Sequence, residues 1–152
     1  MTTHTSDAVD AGIMPDFSQA GVVLTRTTQF TTTDDSIVSG DTIQMIPVPN
    51  DAKILGIDMY YDALPACATG CEIGYGGDPD AFMANLPMTG TNFRSWPGTA
   101  YDNDTTAGFL YTFTADDTID IAIHSASTKI PTDVNIYMAV RYTMTGTLSD
   151  ET

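Results

Sequence analysis

The sequence predicts an all-β fold, a jelly-roll-like antiparallel β-sandwich. Asp supplies 18 of the 20 acidic residues and favours turns over helix interiors. Thr occurs 25 times, and its β-branched side chain suits the exposed face of a strand. Apolar and polar residues alternate with a period of two in several separate stretches, and we find no convincing helical period. The seven or eight strands that this pattern indicates suit a sandwich or a jelly roll.

The first twenty residues differ from the rest of the chain. They are polar, small and aperiodic, which is typical of a flexible arm. From Val22 to Phe30 apolar residues return at alternate positions, and we expect the first strand there. We therefore divide the chain into an arm at 1–20, one β-sandwich domain at 21–147 and a short tail at 148–152.

The stretch GDTIQMIPVPNDAKILGIDMYYDA, residues 40–63, holds two apolar strands and a corner. Pro47 and Pro49 have no N–H to donate, so the first strand ends there or lies on an edge of its sheet. Asn50 and Asp51 supply turn chemistry, which makes the corner a rigid connection between strands. The residues that we expect to share one face of the second strand are Leu55, Ile57, Met59 and Tyr61.

The middle of the chain is the least periodic. Cys71, Ile73 and Tyr75 predict a short strand, and residues 82–86 predict another after a Gly-rich break. Residues 87–107 are expected to form a long loop, of a length that is usually functional or interface-forming.

The alternation is clearest near the end of the chain. Residues 109–113 and 119–123 alternate on either side of a turn at 115–117, which predicts a hairpin. From Val134 to Met144 six successive apolar positions match the template of a half-buried strand.

The charge of the chain limits its partners. Its formal net charge is −15, and its five basic residues are scattered singly, which argues against nucleic acid and against an anionic membrane surface. The partners that this charge allows are cations, a basic protein surface or neutral polymers such as glycans. The acidity also keeps the protein soluble. We see no signal peptide and no apolar run of membrane-spanning length, so we expect synthesis in the cytoplasm.

Catalytic patterns are weak in this sequence. His124 lies on a regular strand and is better explained as a surface imidazole than as a catalytic base. Glycine-rich nucleotide-binding loops and the nucleophile-elbow pattern are missing, and no carboxylate pair is singled out among so many Asp residues. We expect no enzymatic activity, no catalytic residues and no bound cofactor.

Two Asp-rich loops are candidate calcium sites. Asp78 with Asp80, and Asp102 with Asp104, place oxygen ligands in loops, but neither pair matches the EF-hand pattern. Solvated turns are the simpler explanation in a chain this acidic. Cys67 and Cys71 are expected to be reduced thiols that pack as small hydrophobic side chains.

The arm and the long loop carry the candidate interface residues. Trp, Tyr and Arg dominate the energies of protein interfaces, while a single Trp also commonly packs into the core. The candidates are Phe17, Phe93, Arg94, Trp96 and Tyr101.

A family resemblance adds to this interpretation. The segment DTIQMIPVPNDAKILGIDMYYDA, followed by an irregular middle and then by YTFTADDTIDIAIHSAS and DVNIYMAVRYTM, resembles the capsid decoration or cement proteins of tailed bacteriophages. The resemblance covers residues 40–62 and 108–145 and implies a jelly-roll-like sandwich, usually a homotrimer. It implies a non-enzymatic protein that binds the outer capsid surface and clamps neighbouring subunits of the major capsid protein. The long 87–107 loop departs from the simplest members.

One alternative stays open at this point. A calcium-stabilised β-sandwich of the head-fibre or adhesin type would bind a glycan or receptor with the 78–80 and 102–104 loops around an exposed Trp96.

Overall fold

The structure is a computed structural model. It describes residues 1–10, 12, 22–33, 37–64, 70–98, 106–124 and 132–145. Within these ranges, no helix is long and apolar enough to cross a membrane.

Two β-sheets form a sandwich, which confirms the predicted fold class. The elements in chain order are β1 (Thr3–Thr5), α1 (Asp7–Asp10), β2 (Val23–Thr31), β3 (Thr42–Val48), β4 (Ala52–Tyr61), β5 (Cys71–Tyr75), β6 (Asp78–Leu86), β7 (Asn92–Trp96), β8 (Asp117–Ile123) and β9 (Asn135–Met144). Sheet A has the order β1-β3-β8-β5-β6, and sheet B has the order β2-β9-β4-β7. The eight strands β2 to β9 therefore divide four and four between the sheets, as in a jelly roll.

One hydrophobic core lies between the sheets. Strand β9 follows the predicted alternation, because Ile136, Met138, Val140, Tyr142 and Met144 are all buried. The inward side chains of β3, β5 and β8 belong to the same core cluster. The predictions of strands at β3, β4, β5, β8 and β9 are confirmed.

The proline corner joins the two sheets. Strand β3 lies in sheet A and β4 in sheet B, so residues 49–51 carry the chain across the core. Pro47 lies inside β3, opposite Thr118 of β8, but the short β1 pairs only with residues 42–44. Pro47 is therefore on a free edge within the described residues, where its missing N–H leaves no ladder position empty.

The predicted face of β4 is wrong at its start. A register irregularity lies between Ile54 and Gly56. Ile54 is fully buried and Leu55 only half-buried, whereas Ile57, Met59 and Tyr61 are buried as expected. The bulge shifts the side-chain alternation by one residue, which the apolar pattern alone did not reveal.

The predicted hairpin of residues 109–123 is also wrong. Strand β8 pairs with β3 and β5, and residues 107–110 are turns. The aromatic side chains pack on one another instead: the rings of Tyr75 and Tyr111 stack with centroids 4.6 Å apart, and Phe113 packs edge-on against Tyr111. Residues 111–113 also run antiparallel to the start of β4, with Lys53 opposite Thr112 and the Phe113 N–H donating to the Ala52 carbonyl at 2.9 Å. The alternation therefore reflects pairing with β4 and ring packing, and not a hairpin with β8.

The predicted loop at 87–107 contains a strand. Residues 92–96 form β7, which pairs with β4 at the edge of sheet B. The polar residues Asn92, Arg94 and Ser95 hid this strand from a pattern search, because an edge strand needs few apolar side chains.

The first ten residues of the predicted arm contain regular secondary structure. Thr3–Thr5 pair in parallel with β3, and Asp7–Asp10 form one helical turn. Asp41 holds this segment: its carboxylate accepts hydrogen bonds from the backbone N–H of Thr2 at 2.8 Å and of Val38 at 3.0 Å. The domain and tail boundaries at 21–147 and 148–152 remain predictions.

Candidate functional site

The outer face of sheet B carries a row of side chains that crosses all four strands. The strand register places Tyr137 of β9 beside Tyr60 of β4, and Tyr60 beside Phe93 of β7. Gln29 of β2 completes the row beside Tyr137. Because residues opposite each other on a sheet share a face, three aromatic side chains project together from one surface.

These aromatic side chains are unusually accessible. Tyr60 and Tyr137 are each 42% exposed and Phe93 is 56% exposed. The two Tyr rings lie with centroids 6.1 Å apart at an angle of 48°. Together with Thr27 and Ala139 of the neighbouring row, they line an open groove of about 520 Å³. We call this surface, centred on Tyr60, Phe93 and Tyr137, the aromatic face.

A polar network borders the aromatic face. The Ser95 hydroxyl donates a hydrogen bond of 2.5 Å to Asp58 Oδ1, and Arg141 Nη2 lies 3.4 Å from Asp58 Oδ2. A Cβ on Gly56 would lie 2.5 Å from Arg141 Nη2, so the bare glycine leaves room for the guanidinium. The network links β7, β4 and β9 beside the aromatic face.

The charge on sheet B differs from that of the chain. Among the residues that the structure describes, the Lys and Arg residues are Arg26, Lys53, Arg94 and Arg141, and all four lie in strands of sheet B. On the outer face, Lys53 and Arg141 balance Asp58 and Asp62. An acidic protein of net charge −15 thus presents a charge-balanced surface around its exposed aromatic side chains.

The sequence identified only part of this surface. Phe93 is exposed, as an interface role requires, but Arg94 and Trp96 are buried, and Trp96 packs edge-on against Phe82 at 4.9 Å. The side chains of Arg94 and Trp96 point into the sandwich because Met59 and Ile57, their partners on β4, are inward residues. Phe17 and Tyr101 lie outside the described residues.

Sequence reasoning missed Tyr60 as a surface residue. Tyr137 was recognisable, since it alternates with the buried side chains of β9. The signal for Tyr60 was its position next to Tyr61, because only one of two successive strand residues can face the core.

The candidate calcium ligands are only partly described. Asp78 and Asp80 lie at the start of β6, while Asp102 and Asp104 lie outside the described residues. Burial raises the pKa of Asp78, and its hydrogen bond with the Asp80 carboxyl and the Asp80 charge raise it further. Among the described residues, no group of three or more His, Cys, Asp or Glu side chains could hold a metal ion. A calcium site stays a prediction.

The buried Trp96 also bears on the glycan-binding alternative. That alternative needed an exposed indole ring to stack on a sugar, and Trp96 is only 1% exposed. The aromatic face offers Tyr and Phe rings instead.

The remaining sequence candidates are placed as follows. His124 is a surface imidazole as predicted, with Nε2 2.6 Å from Glu72 Oε2. Cys71 is buried in the core, as expected for a packed thiol, and Cys67 lies outside the described residues.

Sheet A contains a buried acidic side chain. Asp120 alternates with the inward isoleucines of β8, yet it is only 6% exposed. Burial raises the pKa of Asp120 to about 7; the Thr118 hydroxyl, 2.5 Å away, lowers it and the charge of Asp117 raises it. Asp120 is buried because β8 is a central strand between β3 and β5.

Comparison with solved structures identifies two phage capsids. The fold is similar to that of a chain in the capsid of Ralstonia phage GP4, with a TM-score of 0.72 and 16% identity over 95% of this chain and 99% of that chain. It is also similar to a chain of the capsid asymmetric unit of cyanophage Pam1, with a TM-score of 0.59 and 20% identity over 87% and 91% of the two chains. At these identities the comparisons establish a shared fold. No protein-family model and no curated protein sequence matches the chain.

Proposed function

We propose that this chain is a non-enzymatic structural protein of a bacteriophage virion. In this proposal it binds the outer surface of the capsid and stabilises the contacts between subunits of the major capsid protein, as decoration or cement proteins do. Its partners are the major capsid protein and further copies of itself, assembled as a homotrimer.

The observation that carries the proposal is the near-complete match in fold to a capsid chain. The alignment covers 95% of this chain and 99% of the chain in the capsid of Ralstonia phage GP4, so the two chains are close in length. A match over both whole chains supports a shared role more strongly than a match to one module of a larger protein. Fold alone does not dictate function, so the proposal also depends on the surface.

The surface supports a role in assembly. The aromatic face exposes three large side chains on rigid strands, and exposed aromatic clusters are characteristic of protein interfaces. The acidity of the rest of the chain keeps a protein of high copy number soluble before assembly.

Co-sedimentation tests the proposal. The purified protein is incubated with empty capsids assembled from the major capsid protein encoded in the same genome, and bound protein is measured in the capsid fraction. We expect saturable binding at a fixed ratio to capsid subunits. Protein that stays in the supernatant at all concentrations contradicts the proposal.

Light scattering during gel filtration tests the homotrimer. The expected mass is about three times the 16.3 kDa of one chain. Repeating the measurement with calcium and then with chelator shows whether the Asp-rich loops contribute to assembly.

A further inference from the structure

We infer that the aromatic face is the surface by which this chain docks on a subunit of the major capsid protein, against an apolar, uncharged patch of that subunit. The inference rests on the proposed function and assigns its binding surface. Of the described residues, those around Tyr60, Phe93 and Tyr137 carry it.

The first step concerns apolar exposure. Strands β9 and β4 are the central strands of sheet B, and their outer residues normally meet water. Here they present Tyr137 and Tyr60 side by side, with Phe93 continuing the row on β7. A contiguous row of half-exposed aromatic side chains is costly in water and typical of an interaction site. Tyr and Phe also lose little rotamer freedom when they bind.

The second step concerns charge. A partner that meets this face encounters Lys53, Arg141, Asp58 and Asp62, whose charges cancel. The net charge of −15 therefore belongs to the rest of the chain. Interfaces need complementary potentials, so the fitting partner surface is apolar and close to neutral.

The same charge distribution limits contacts between copies through this face. The other surfaces of a second copy carry the excess negative charge, and burying their carboxylates against a neutral face would cost desolvation with no opposite charge in return. A second copy could meet the aromatic face without this cost only with its own aromatic face.

The third step concerns area and argues against that self-contact. Four strands about 4.8 Å apart, over a length of about 27 Å along β9, give the face roughly 500 Å². A stable complex of standard size buries about 800 Å² on each partner. A single aromatic face is thus too small for a stable dimer in solution.

Attachment at several points of a capsid lattice compensates for the small area of a single aromatic face. Several faces that are held in one oligomer can bind several identical subunits at once, and the second and third contacts form at high effective concentration. A small, rigid and neutral face is suited to this repeated attachment. Backbone pairing of β7, β4 and β9 fixes the strands beneath it, so little ordering is needed on binding.

The test uses the triple variant Tyr60→Thr, Phe93→Thr and Tyr137→Thr in the co-sedimentation assay. Thr suits a strand, so the replacement removes the rings with little effect on the backbone. We expect capsid affinity to fall at least about 100-fold, because central aromatic side chains dominate interface energies. The solution mass should stay that of the wild type.

The matched control is Leu110→Asn. Leu110 is 48% exposed and lies in a turn with φ of 58°, a conformation that Asn accepts readily. It removes an exposed apolar side chain outside the aromatic face, so its affinity should stay within about threefold of the wild type. If the triple variant does not fold, Phe93→Thr alone on the edge strand β7 serves in its place, with a loss of at least about tenfold.

Three results would overturn the inference. The first is wild-type affinity in a folded triple variant. The second is a lower solution mass for the triple variant, since the face would then hold copies of the chain together. The third is an oligosaccharide that binds the wild type at these Tyr residues without displacing it from capsids, since capsid binding would then use another surface. A wild-type chain that never binds capsids overturns the proposed function itself, and this is seen before any variant is compared.

Discussion

Asp120 provides the sharpest test of the packing in sheet A. Its carboxyl group is buried beside the charge of Asp117, and its pKa is raised from 3.8 to about 7. The protonated form is therefore favoured in the folded protein. The contribution of the protonated Asp120 to the free energy of unfolding is fully present below pH 3.8. It declines as the pH rises and is lost above pH 7, where the buried group must ionise.

The size of this effect follows from the shift. One pKa unit corresponds to about 1.4 kcal/mol, so the full change is roughly 4 kcal/mol between acidic and alkaline solution. About 2.5 kcal/mol of this loss falls between pH 5 and pH 8. Asp120→Asn keeps the size of the side chain and an oxygen that accepts the Thr118 hydrogen bond, but it cannot ionise.

Urea unfolding of both proteins from pH 5 to pH 8 measures the difference. Other carboxyl groups titrate in both proteins, so the difference between the two curves isolates Asp120. We expect the variant to gain about 2.5 kcal/mol relative to the wild type over this range, which corresponds to a rise in Tm of roughly 5–10 °C. A constant difference from pH 5 to pH 8 would refute the reasoning and place Asp120 in contact with water.

Three further predictions concern stability. Gly74→Ala should cost at least about 3 kcal/mol in urea unfolding, because its Cβ would lie 2.1 Å from a backbone carbonyl oxygen. Gly56→Ala should cost less than about 1 kcal/mol, because its nearest contacts are with the movable end of Arg141. Equal losses for the two variants would contradict this difference. Trp96→Ala should cost about 4 kcal/mol, whereas a loss below about 1 kcal/mol would mean that the indole lies at the surface. Burial raises the pKa of Asp41, but its hydrogen bonds and its interaction with the His4 imidazole lower it by more, so the pKa lies below 3.8 overall. The contribution of this carboxylate to stability is therefore present above pH 3.8 and is lost as the pH falls through the lower folded value. Asp41→Asn should therefore speed hydrogen exchange in β1 at neutral pH, and unchanged exchange would show that this carboxylate does not hold the strand.

Much of the fold could be predicted because period-two alternation records which face of a strand is buried. Strand β9 is the clearest case, since five alternate side chains from Ile136 to Met144 are buried. The proline corner could be predicted equally well, because Pro47 has no N–H group and can pair only where none is needed. The prediction of a hairpin at 109–123 failed because residues 111–113 pair with the start of β4 and not with β8.

The candidate site was harder to predict because it depends on register. Tyr137 is outward on β9, but nothing local to Tyr60 or Phe93 says that their strands are its neighbours in sheet B. The bulge near Gly56 and the edge strand β7 are fixed by tertiary pairing. The buried Asp120 was missed in the same way, because its burial depends on the two strands that flank β8.

Cryo-electron microscopy of capsids incubated with the purified protein tests most directly the central claim, which is the proposed place of this chain on a capsid. We predict density for the two-sheet sandwich on the outer surface of the capsid, with the aromatic face turned toward a major-capsid subunit and the acidic remainder toward solvent. Particles without this density, or with the aromatic face turned to solvent, would contradict the account.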